Sequence, residues 1–335
     1  MKVLAKTTGS EAKWVLPDGV ERDVKRRGVP SILEQKKLIK QAKDLKVDCI
    51  VSEIMSIHPE NHFIESQQIL KPHIVVMTNV RLDHTDAMGN TLEQIASVFS
   101  QDVPEKAIVF IPENENFAIF SSAVDRKNGQ LFRVASEMSH RLKAYNFSSI
   151  KNEFSENIDL AYAVAKYFDI DDRVIAKGID KAKHDIGHLK IWKFYVEKKK
   201  KNFYFVNGFA ANDPQSTVNL IAKIKEELSF SSQKIYGFFN SRSDRAERTL
   251  QWIQFLQSNA GNIFSQLFIC GPHAPIVRRK LKIGLAMKHH SPEKILEIIS
   301  EIADDQSVIF GFGNIAGMGR KIIDDLNRIG VEYGV

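Results

Sequence analysis

The sequence has few cysteines, no long apolar run and no secretory signal. Two cysteines occur in 335 residues, Cys49 and Cys270. Both lie in apolar, strand-like runs, as reduced core residues of a cytosolic protein do. No apolar run approaches the roughly 20 residues that span a bilayer. These absences argue against a disulfide-rich scaffold and a transmembrane segment, and they predict a cytoplasmic location.

A strong excess of one charge is also lacking. Lysine and arginine number 47 against 41 acidic residues, which gives a net charge of +6. This mild excess is compatible with nucleotides or anionic substrates and does not indicate a nucleic-acid partner. The basic run Lys198–Lys201 lies between two strand-like segments, Ile191–Val196 and Asn202–Val206. We interpret it as a solvated hairpin turn.

The alternation of strand and helix patterns predicts an α/β fold with a mostly parallel, doubly wound sheet. We expect a larger first domain over 1–200 and a smaller Rossmann-like domain over 201–335. In the first domain, strands are predicted at Val3–Ala5, Cys49–Glu53, His73–Val80, Ala107–Ile111 and Leu131–Ala135. In the second, they are predicted at Phe203–Val206, Lys234–Phe239, Gln266–Cys270 and Ser307–Gly311.

Two helix starts carry the capping-box pattern, Ser31-x-x-Glu34 and Thr91-x-x-Gln94. After the first of them, four apolar residues at helical spacing predict one buried helix face. These residues are Leu38, Ile39, Ala42 and Leu45.

The stretch Val75–Gly89 carries the densest set of candidate site residues. An apolar strand feeds a polar cluster that contains Asn79, Asp83, His84 and Asp86. Because ligands bind beyond the carboxyl ends of parallel strands, this pattern indicates a metal and phosphate site. For any one of these residues alone, a polar loop that caps the next helix is the simpler interpretation.

Glu53 ends one predicted strand and His84 follows the next one. A carboxylate and a neutral imidazole beside phosphates could hold Mg²⁺, which takes one or two protein ligands and keeps several waters. This spacing alone is a weak signal, and Glu53 could instead be a helix cap or part of a buried salt bridge.

Three further segments follow predicted strands of the second domain. Asn207–Thr217 and Asn240–Arg245 contain amides, carboxylates and arginines that suit phosphate or carboxylate recognition. Helix capping is the stronger interpretation for Asp213, which precedes a proline. Gly311-x-Gly313-Asn314-x-x-Gly317 resembles a displaced dinucleotide fingerprint, and we discount NAD because no acidic residue follows in a βαβ unit.

Taken together, the motifs resemble the Mur-ligase superfamily of ATP-dependent amide ligases. The pattern is similar to its capsule-forming branch, the ligase subunits of poly-γ-glutamate synthases. The motifs that carry the resemblance are Lys6–Gly9, Val51-Ser-Glu53, Asn79–Gly89, Val206–Asp213, Arg242-x-Asp244-Arg245 and Gly311-x-Gly313-Asn314.

This resemblance implies that ATP phosphorylates a glutamate carboxylate and that an amine then attacks the acyl phosphate. It implies Mg²⁺ ligation by Glu53 and His84, and adenine contact by Asn157. Catalytic roles are implied for Asp83, Lys190, Arg242 and Arg245. Nucleotide or substrate binding is implied for Thr7, Thr8, Gly9, Asn79, Asn207, Asn212, Asp213 and Asn314. The implied partners are ATP, glutamate, the growing poly-γ-glutamate chain and membrane subunits of a synthase complex.

The sequence departs from the family pattern in two places. The family's phosphate loop should precede Lys6, and no GxxxxGK[ST] occurs in the sequence. We therefore expect an incomplete first domain with an unpaired sheet edge, and little ATP-dependent activity from this chain alone. The second departure is Lys190, where relatives tend to carry arginine and its bidentate fork.

Two other functions stay open. The chain could be a non-catalytic partner subunit that assembles with a complete ligase or with membrane subunits. It could also be another amide ligase, such as a folylpolyglutamate or cyanophycin synthase, although the histidine of the folate-type motif is absent from Asn207–Pro214.

Overall fold

A computed structural model describes residues 1–9, 12–26, 28–115, 117–145, 155–182, 188–211, 213–227, 233–287 and 290–333. The chain divides into two compact units. The first comprises Met1–Ser139 and Ser155–Ile170, and the second comprises Asp171–Val335 with the segment that begins at His140. None of the helices in these ranges is long and apolar enough to cross a membrane.

The strands of the first unit form two sheets. One has the order β3-β2-β1-β4, in which β1 and β4 are parallel and the other pairs antiparallel. The other is parallel with the order β5-β6-β7. The strands are Val3–Lys6 (β1), Lys13–Val15 (β2), Glu21–Asp23 (β3), Cys49–Ser52 (β4), Ile74–Val76 (β5), Ile108–Pro112 (β6) and Gln130–Val134 (β7).

Helices cover both sheets of the first unit. Leu38 and Ala42 of α1 pack on Leu4 of β1. Helices α4 and α5 cover one face of the second sheet, and α6 packs against Phe110 on the other. The helices are Glu34–Leu45 (α1), Pro59–Phe63 (α2), Thr85–Met88 (α3), Leu92–Phe99 (α4), Phe117–Arg126 (α5) and Ser155–Tyr167 (α6), and a π-helical turn covers Ile64–Leu70.

The second unit contains a seven-stranded sheet with the order β12-β11-β10-β13-β9-β8-β14. The five strands from β12 to β9 are parallel, and β8 and β14 are antiparallel additions at one side. The strands are Ile191–Val196 (β8), Lys201–Asn207 (β9), Ile235–Asn240 (β10), Gln266–Cys270 (β11), Leu285–Ala286 (β12), Ser307–Gly313 (β13) and Val331–Glu332 (β14).

Two helical layers bury this sheet. Residues of α8, α9 and α10 share one apolar cluster with it, and residues of α11 and α12 share the other. Since α9 follows β10 on one face and α12 follows β13 on the other, the crevice of the sheet opens between these two strands. The helices of this unit are Asp172–Lys181 (α7), Pro214–Glu227 (α8), Ala246–Ile263 (α9), Ala274–Leu281 (α10), Pro292–Ile302 (α11) and Met318–Ile329 (α12).

The α/β prediction is confirmed, with three differences in detail. The hairpin of β2 and β3 was not predicted. Ser31 does not cap α1 through its side chain, because Leu33 occupies the N-cap position, whereas the Thr91 capping box is formed. Ile39 and Leu45 are exposed at 39% and 37%, so the buried face of α1 is narrower than predicted.

The boundary between the units falls earlier in the chain than residue 200. Strand β8 pairs with β9 over its whole length, from Ile191 opposite Val206 to Val196 opposite Lys201. It therefore belongs to the sheet of the second unit. The basic run between these strands is a hairpin turn, as predicted, and Lys198 forms an ion pair with Glu297 of α11 at 2.9 Å.

Candidate functional site

Glu53 directly follows β4 and lies beside the Lys6–Gly9 segment. The parallel register that places Lys6 opposite Ser52 brings these two stretches together. The Thr8 N–H donates to Glu53 Oε2 at 2.7 Å, and the Glu53 N–H donates to the Lys6 carbonyl at 3.0 Å. Glu53 is exposed, so its carboxylate can bind a ligand from solution while the Thr8 amide fixes its direction.

Burial of Val80 and hydrogen bonds to Glu115 hold the first part of the polar loop after β5 in place. Val80 is 1% exposed and anchors the loop in the core, whereas Asn79 beside it is exposed. Glu115 accepts hydrogen bonds from the Val80 N–H at 3.2 Å and from Arg81 at 2.7 Å. No local sequence pattern predicts a role for Glu115, because its partners lie 34 and 35 residues upstream.

Asp83 and His84 form a local pair in the same loop. His84 has a φ of 51°, and its N–H donates to Asp83 Oδ1 at 2.9 Å. The second Asp83 oxygen lies 3.8 Å from His84 Nε2. Asp83 thus fixes the backbone of His84 through a hydrogen bond, and its second oxygen places a negative charge near the ring.

The donor set of Glu53 and His84 suits a divalent cation that water and phosphate oxygens complete. Carboxylate oxygens are the usual Mg²⁺ ligands, and imidazole is accepted by Mn²⁺ and other transition metals. Among the described residues, no group of three or more His, Cys, Asp or Glu side chains gathers as a metal site. Glu53 follows a strand of the four-stranded sheet and His84 follows a strand of the three-stranded sheet, so joint ligation of one cation by these two side chains stays a prediction.

Three asparagines lie at the carboxyl edge of the second sheet, and we call them the asparagine edge. Asn207 ends β9, Asn240 ends β10 and Asn314 follows β13. All three are buried. Asn240 Nδ2 donates to the carbonyls of Asn314 and Ala316 at 2.5 and 2.8 Å, and Asn207 Nδ2 donates to the His188 carbonyl at 2.9 Å.

The glycines of this edge are explained by packing. A Cβ on Gly311 would lie 2.8 Å from the Phe209 ring, and one on Gly313, whose φ is 94°, would lie 2.7 Å from the Asn240 carbonyl. Arg248 of α9 donates to Asn314 Oδ1 at 3.4 Å. Asn240 begins a strand-end segment that was predicted to suit phosphate or carboxylate recognition, whereas no sequence pattern indicated Arg248.

Asp213 and Arg242 have local structural partners. Asp213 Oδ1 accepts the Ser216 N–H at 2.9 Å and caps α8, as the simpler interpretation predicted. Arg242 pairs with Asp244 through Nε at 2.6 Å. Burial raises the pKa of Asp244, but the hydrogen bond and charge of Arg242 outweigh it and leave that pKa below its usual value. The Arg245 carbonyl accepts from Thr249 at the start of α9.

Three further predicted residues are Lys190, Asn157 and Asn212. Lys190 pairs with Glu332 at 2.9 Å and lies over the Trp192 ring. Asn157 is exposed in the first turn of α6. Asn212 lies outside the described residues. The structure brings Thr8 to Glu53, Asp83 to His84, and Asn240 to Asn314.

Two protein-family models match this chain, one in its first half and one in its second half. The Mur ligase middle domain matches residues 2–177, and the poly-γ-glutamate synthase CapB C-terminal domain matches residues 193–329. PGA synthase CapB of Bacillus subtilis is 28% identical over 99% of this chain and 84% of its own length. Capsule biosynthesis protein CapB of Bacillus anthracis is 28% identical over 96% of this chain and 70% of its own length.

The fold has solved counterparts. The bifunctional folylpolyglutamate synthase/dihydrofolate synthase of Yersinia pestis, complexed with AMPPNP and a Mn ion, superimposes with a TM-score of 0.64. The match covers 97% of this chain and 82% of that one at 14% identity, so it concerns the fold alone. The Mur ligase middle domain thus matches more than half of this chain, and CapB proteins match nearly all of it. The chain therefore belongs to the Mur ligase family, in its CapB branch.

Proposed function

We propose that this chain is the ATP-dependent amide ligase subunit of poly-γ-glutamate synthesis. The observation that carries the proposal is the match to CapB proteins along nearly the whole chain. Two hydrogen bonds support it. The Thr8 N–H donates to Glu53 just after β4, and the His84 N–H donates to Asp83 in the loop after β5.

In this reaction the γ-phosphoryl group passes from ATP to a glutamate carboxylate, and the amine of the next glutamate displaces phosphate to form the amide. A bound Mg²⁺ would neutralise phosphate charge. Glu53 and His84 would hold that cation, and Thr8 and Asp83 would orient these two ligands. No protein nucleophile is needed, because the reaction depends on positioning and on charge stabilisation.

The decisive test uses a strain that lacks the gene for this chain. Incorporation of labelled glutamate into polymer, with γ-amide linkages identified by NMR, is measured after complementation with wild type, Glu53→Ala or the matched exposed control Asp44→Ala. The proposal expects polymer from wild type and Asp44→Ala and none from Glu53→Ala. Wild-type polymer from Glu53→Ala would favour a non-catalytic partner subunit, and glutamylated folate as the product would favour the folate ligase.

We further propose that the purified 335-residue chain has little ATP-dependent ligase activity by itself, because its sequence contains no GxxxxGK[ST] phosphate loop. The chain would then act together with a complete ligase or with other subunits of the synthase complex. Release of ADP that depends on glutamate, measured with the purified chain, would contradict this second proposal.

A further inference from the structure

A buried polar cluster lies beneath Glu53, and the proposed chemistry does not use it. Its members are Lys6 of β1, Glu34 and Gln35 of α1, and Glu65 of the π-helical turn. Their exposed fractions are 2%, 7%, 0% and 0%. Because burying such groups is unfavourable unless they are paired, each member needs a defined partner.

Glu65 binds the chain just after Glu53 through its carboxylate. Its Oε1 accepts the Met55 N–H at 2.9 Å, and its Oε2 accepts the Ser56 hydroxyl at 2.5 Å. These hydrogen bonds tie the chain after Glu53 to the π-helical turn. We call the segment that it holds, Glu53–Ser56, the Glu53 loop.

Gln35 connects Glu65 to Glu53 itself. Its Nε2 donates to Glu65 Oε1 at 2.6 Å and to the Glu53 carbonyl at 3.1 Å. Its Oε1 accepts the Ser52 hydroxyl at 3.2 Å. The side-chain amide of Gln35 thus holds the Glu53 carbonyl and the side chain of Ser52 that precedes it.

Two cations offset the two carboxylates of the cluster, Lys6 within it and Arg26, which pairs with Glu34 at 2.8 Å. The Lys6 Nζ lies 3.5 Å from Glu34 Oε2 and 3.3 Å from the Met55 sulfur. Burial lowers the pKa of Lys6, and the carboxylates of Glu34 and Glu65 partly oppose this. Glu65 also lies on a π-helical turn, a wide and rare helical geometry that often accompanies functional sites.

We propose that Glu65, acting with Gln35, is a positioning residue that holds the Glu53 carboxylate in its metal-binding direction. The inference rests on the proposed function, because it takes Glu53 as a metal ligand. Neither residue touches the cation. They fix the main chain of the Glu53 loop, while the Thr8 N–H fixes the carboxylate at 2.7 Å.

The test measures Mn²⁺ affinity of the full chain by electron paramagnetic resonance of free Mn²⁺, with Mn²⁺ alone as the probe. Glu65→Ala and Gln35→Met are each expected to weaken binding by about 10-fold, the usual effect of removing a residue that orients a metal ligand. Glu65→Gln is expected to stay near wild type, because its amide can accept from Met55 and Gln35 and donate to Ser56.

Two controls separate positioning from stability and from the metal assignment. Leu38→Ala removes an apolar contact of α1 in the same unit and should lower the unfolding midpoint without changing Mn²⁺ affinity. Glu53→Gln should abolish Mn²⁺ binding, and unchanged binding in that variant would overturn the metal assignment and this inference together.

Loss of binding in Glu53→Gln combined with wild-type affinity in both Glu65→Ala and Gln35→Met would overturn the positioning role alone. An equal loss in Leu38→Ala would also overturn it, because affinity would then follow stability. Should Glu65→Ala fail to fold, Gln35→Met decides, because it keeps the volume of the side chain and removes only its hydrogen bonds.

Discussion

The Glu53 loop and the asparagine edge both lie at strand ends, but they are held in different ways. Strand β4, which leads into the Glu53 loop, is partly exposed to solvent. The exposed fractions of Ile50 and Val51 are 38% and 56%. Every residue of β13 is buried. Ion pairs and side-chain hydrogen bonds therefore fix the first region, whereas the second is fixed by apolar burial on both sheet faces together with the asparagine side-chain amides.

The two regions therefore differ in how far a substitution can change function without changing stability. In the first unit, an exposed ligand rests on a buried charged cluster, so ligand and support can be changed independently. At the asparagine edge, the buried strand-end side chains of Asn207 and Asn240 themselves satisfy main-chain carbonyls. A substitution there is expected to alter folding and binding together.

The largest expected effect comes from Glu34→Gln. It leaves Lys6 without its ion-pair partner in a buried site, and breaking such a pair costs about 3–5 kcal/mol. Lys6→Met should cost less, because Arg26 still pairs with Glu34 at 2.8 Å. Urea unfolding of both single variants and the double variant measures this, and strict additivity would show that the two side chains are not coupled.

The same pair predicts an acid-sensitive contribution to stability. Burial raises the pKa of Glu34, but the hydrogen bond and charge of Arg26, with the charge of Lys6, leave it below its usual value of 4.5. A lowered folded-state pKa stabilises the fold above pH 4.5, and this stabilisation is lost as pH falls through the folded value. Wild type should therefore lose more stability between pH 6 and 3 than Glu34→Gln does, and parallel curves would contradict the assignment.

Much of this fold follows from sequence patterns. The run Gln266–Cys270 is a strand at its predicted bounds, and β10 differs from its prediction by one residue at each end, because buried parallel strands are continuous apolar runs. The hairpin of β2 and β3 was missed, since Glu21–Asp23 is entirely charged and has no strand pattern.

The candidate site was predicted less completely, for a physical reason. Glu53, Asp83 and His84 are recognisable because polar residues follow apolar strands. Glu65 and Glu115 act on residues distant in sequence, so only the folded chain shows them. Arg242 and Asp213 were predicted as site residues, and the structure gives each a local partner that a turn or a helix cap would also require.

The second largest effect is expected for Glu53→Ala, and it should be one of function alone. Loss of a group that stabilises charge in the transition state lowers turnover by about 100-fold or more. Because Glu53 is exposed, its removal should change the free energy of unfolding by less than about 0.5 kcal/mol. Polymer synthesis and urea unfolding are compared with Asp44→Ala, and a large stability loss in Glu53→Ala would remove the contrast between the two regions.

Asn240→Ala should change stability at the asparagine edge. It leaves the carbonyls of Asn314 and Ala316 without their donor, and an unsatisfied buried acceptor costs about 1–3 kcal/mol. The exposed amide of Gln215 donates to Asn219 Oδ1 within α8 at 2.9 Å, and Gln215→Ala provides the matched control. Urea unfolding that is equal for the two variants would show that the Asn240 bonds contribute little.

The smallest expected effect tests Lys190, the position where the resemblance implies arginine. Its partner Glu332 is 60% exposed, and such surface pairs contribute about 0–1 kcal/mol. Lys190→Arg keeps the charge over the Trp192 ring, so stability should change by less than about 0.5 kcal/mol. If polymer synthesis rises while the unfolding curve is unchanged, the bidentate guanidinium acts on substrate. If neither changes, Lys190 serves the second unit only as a surface contact to β14.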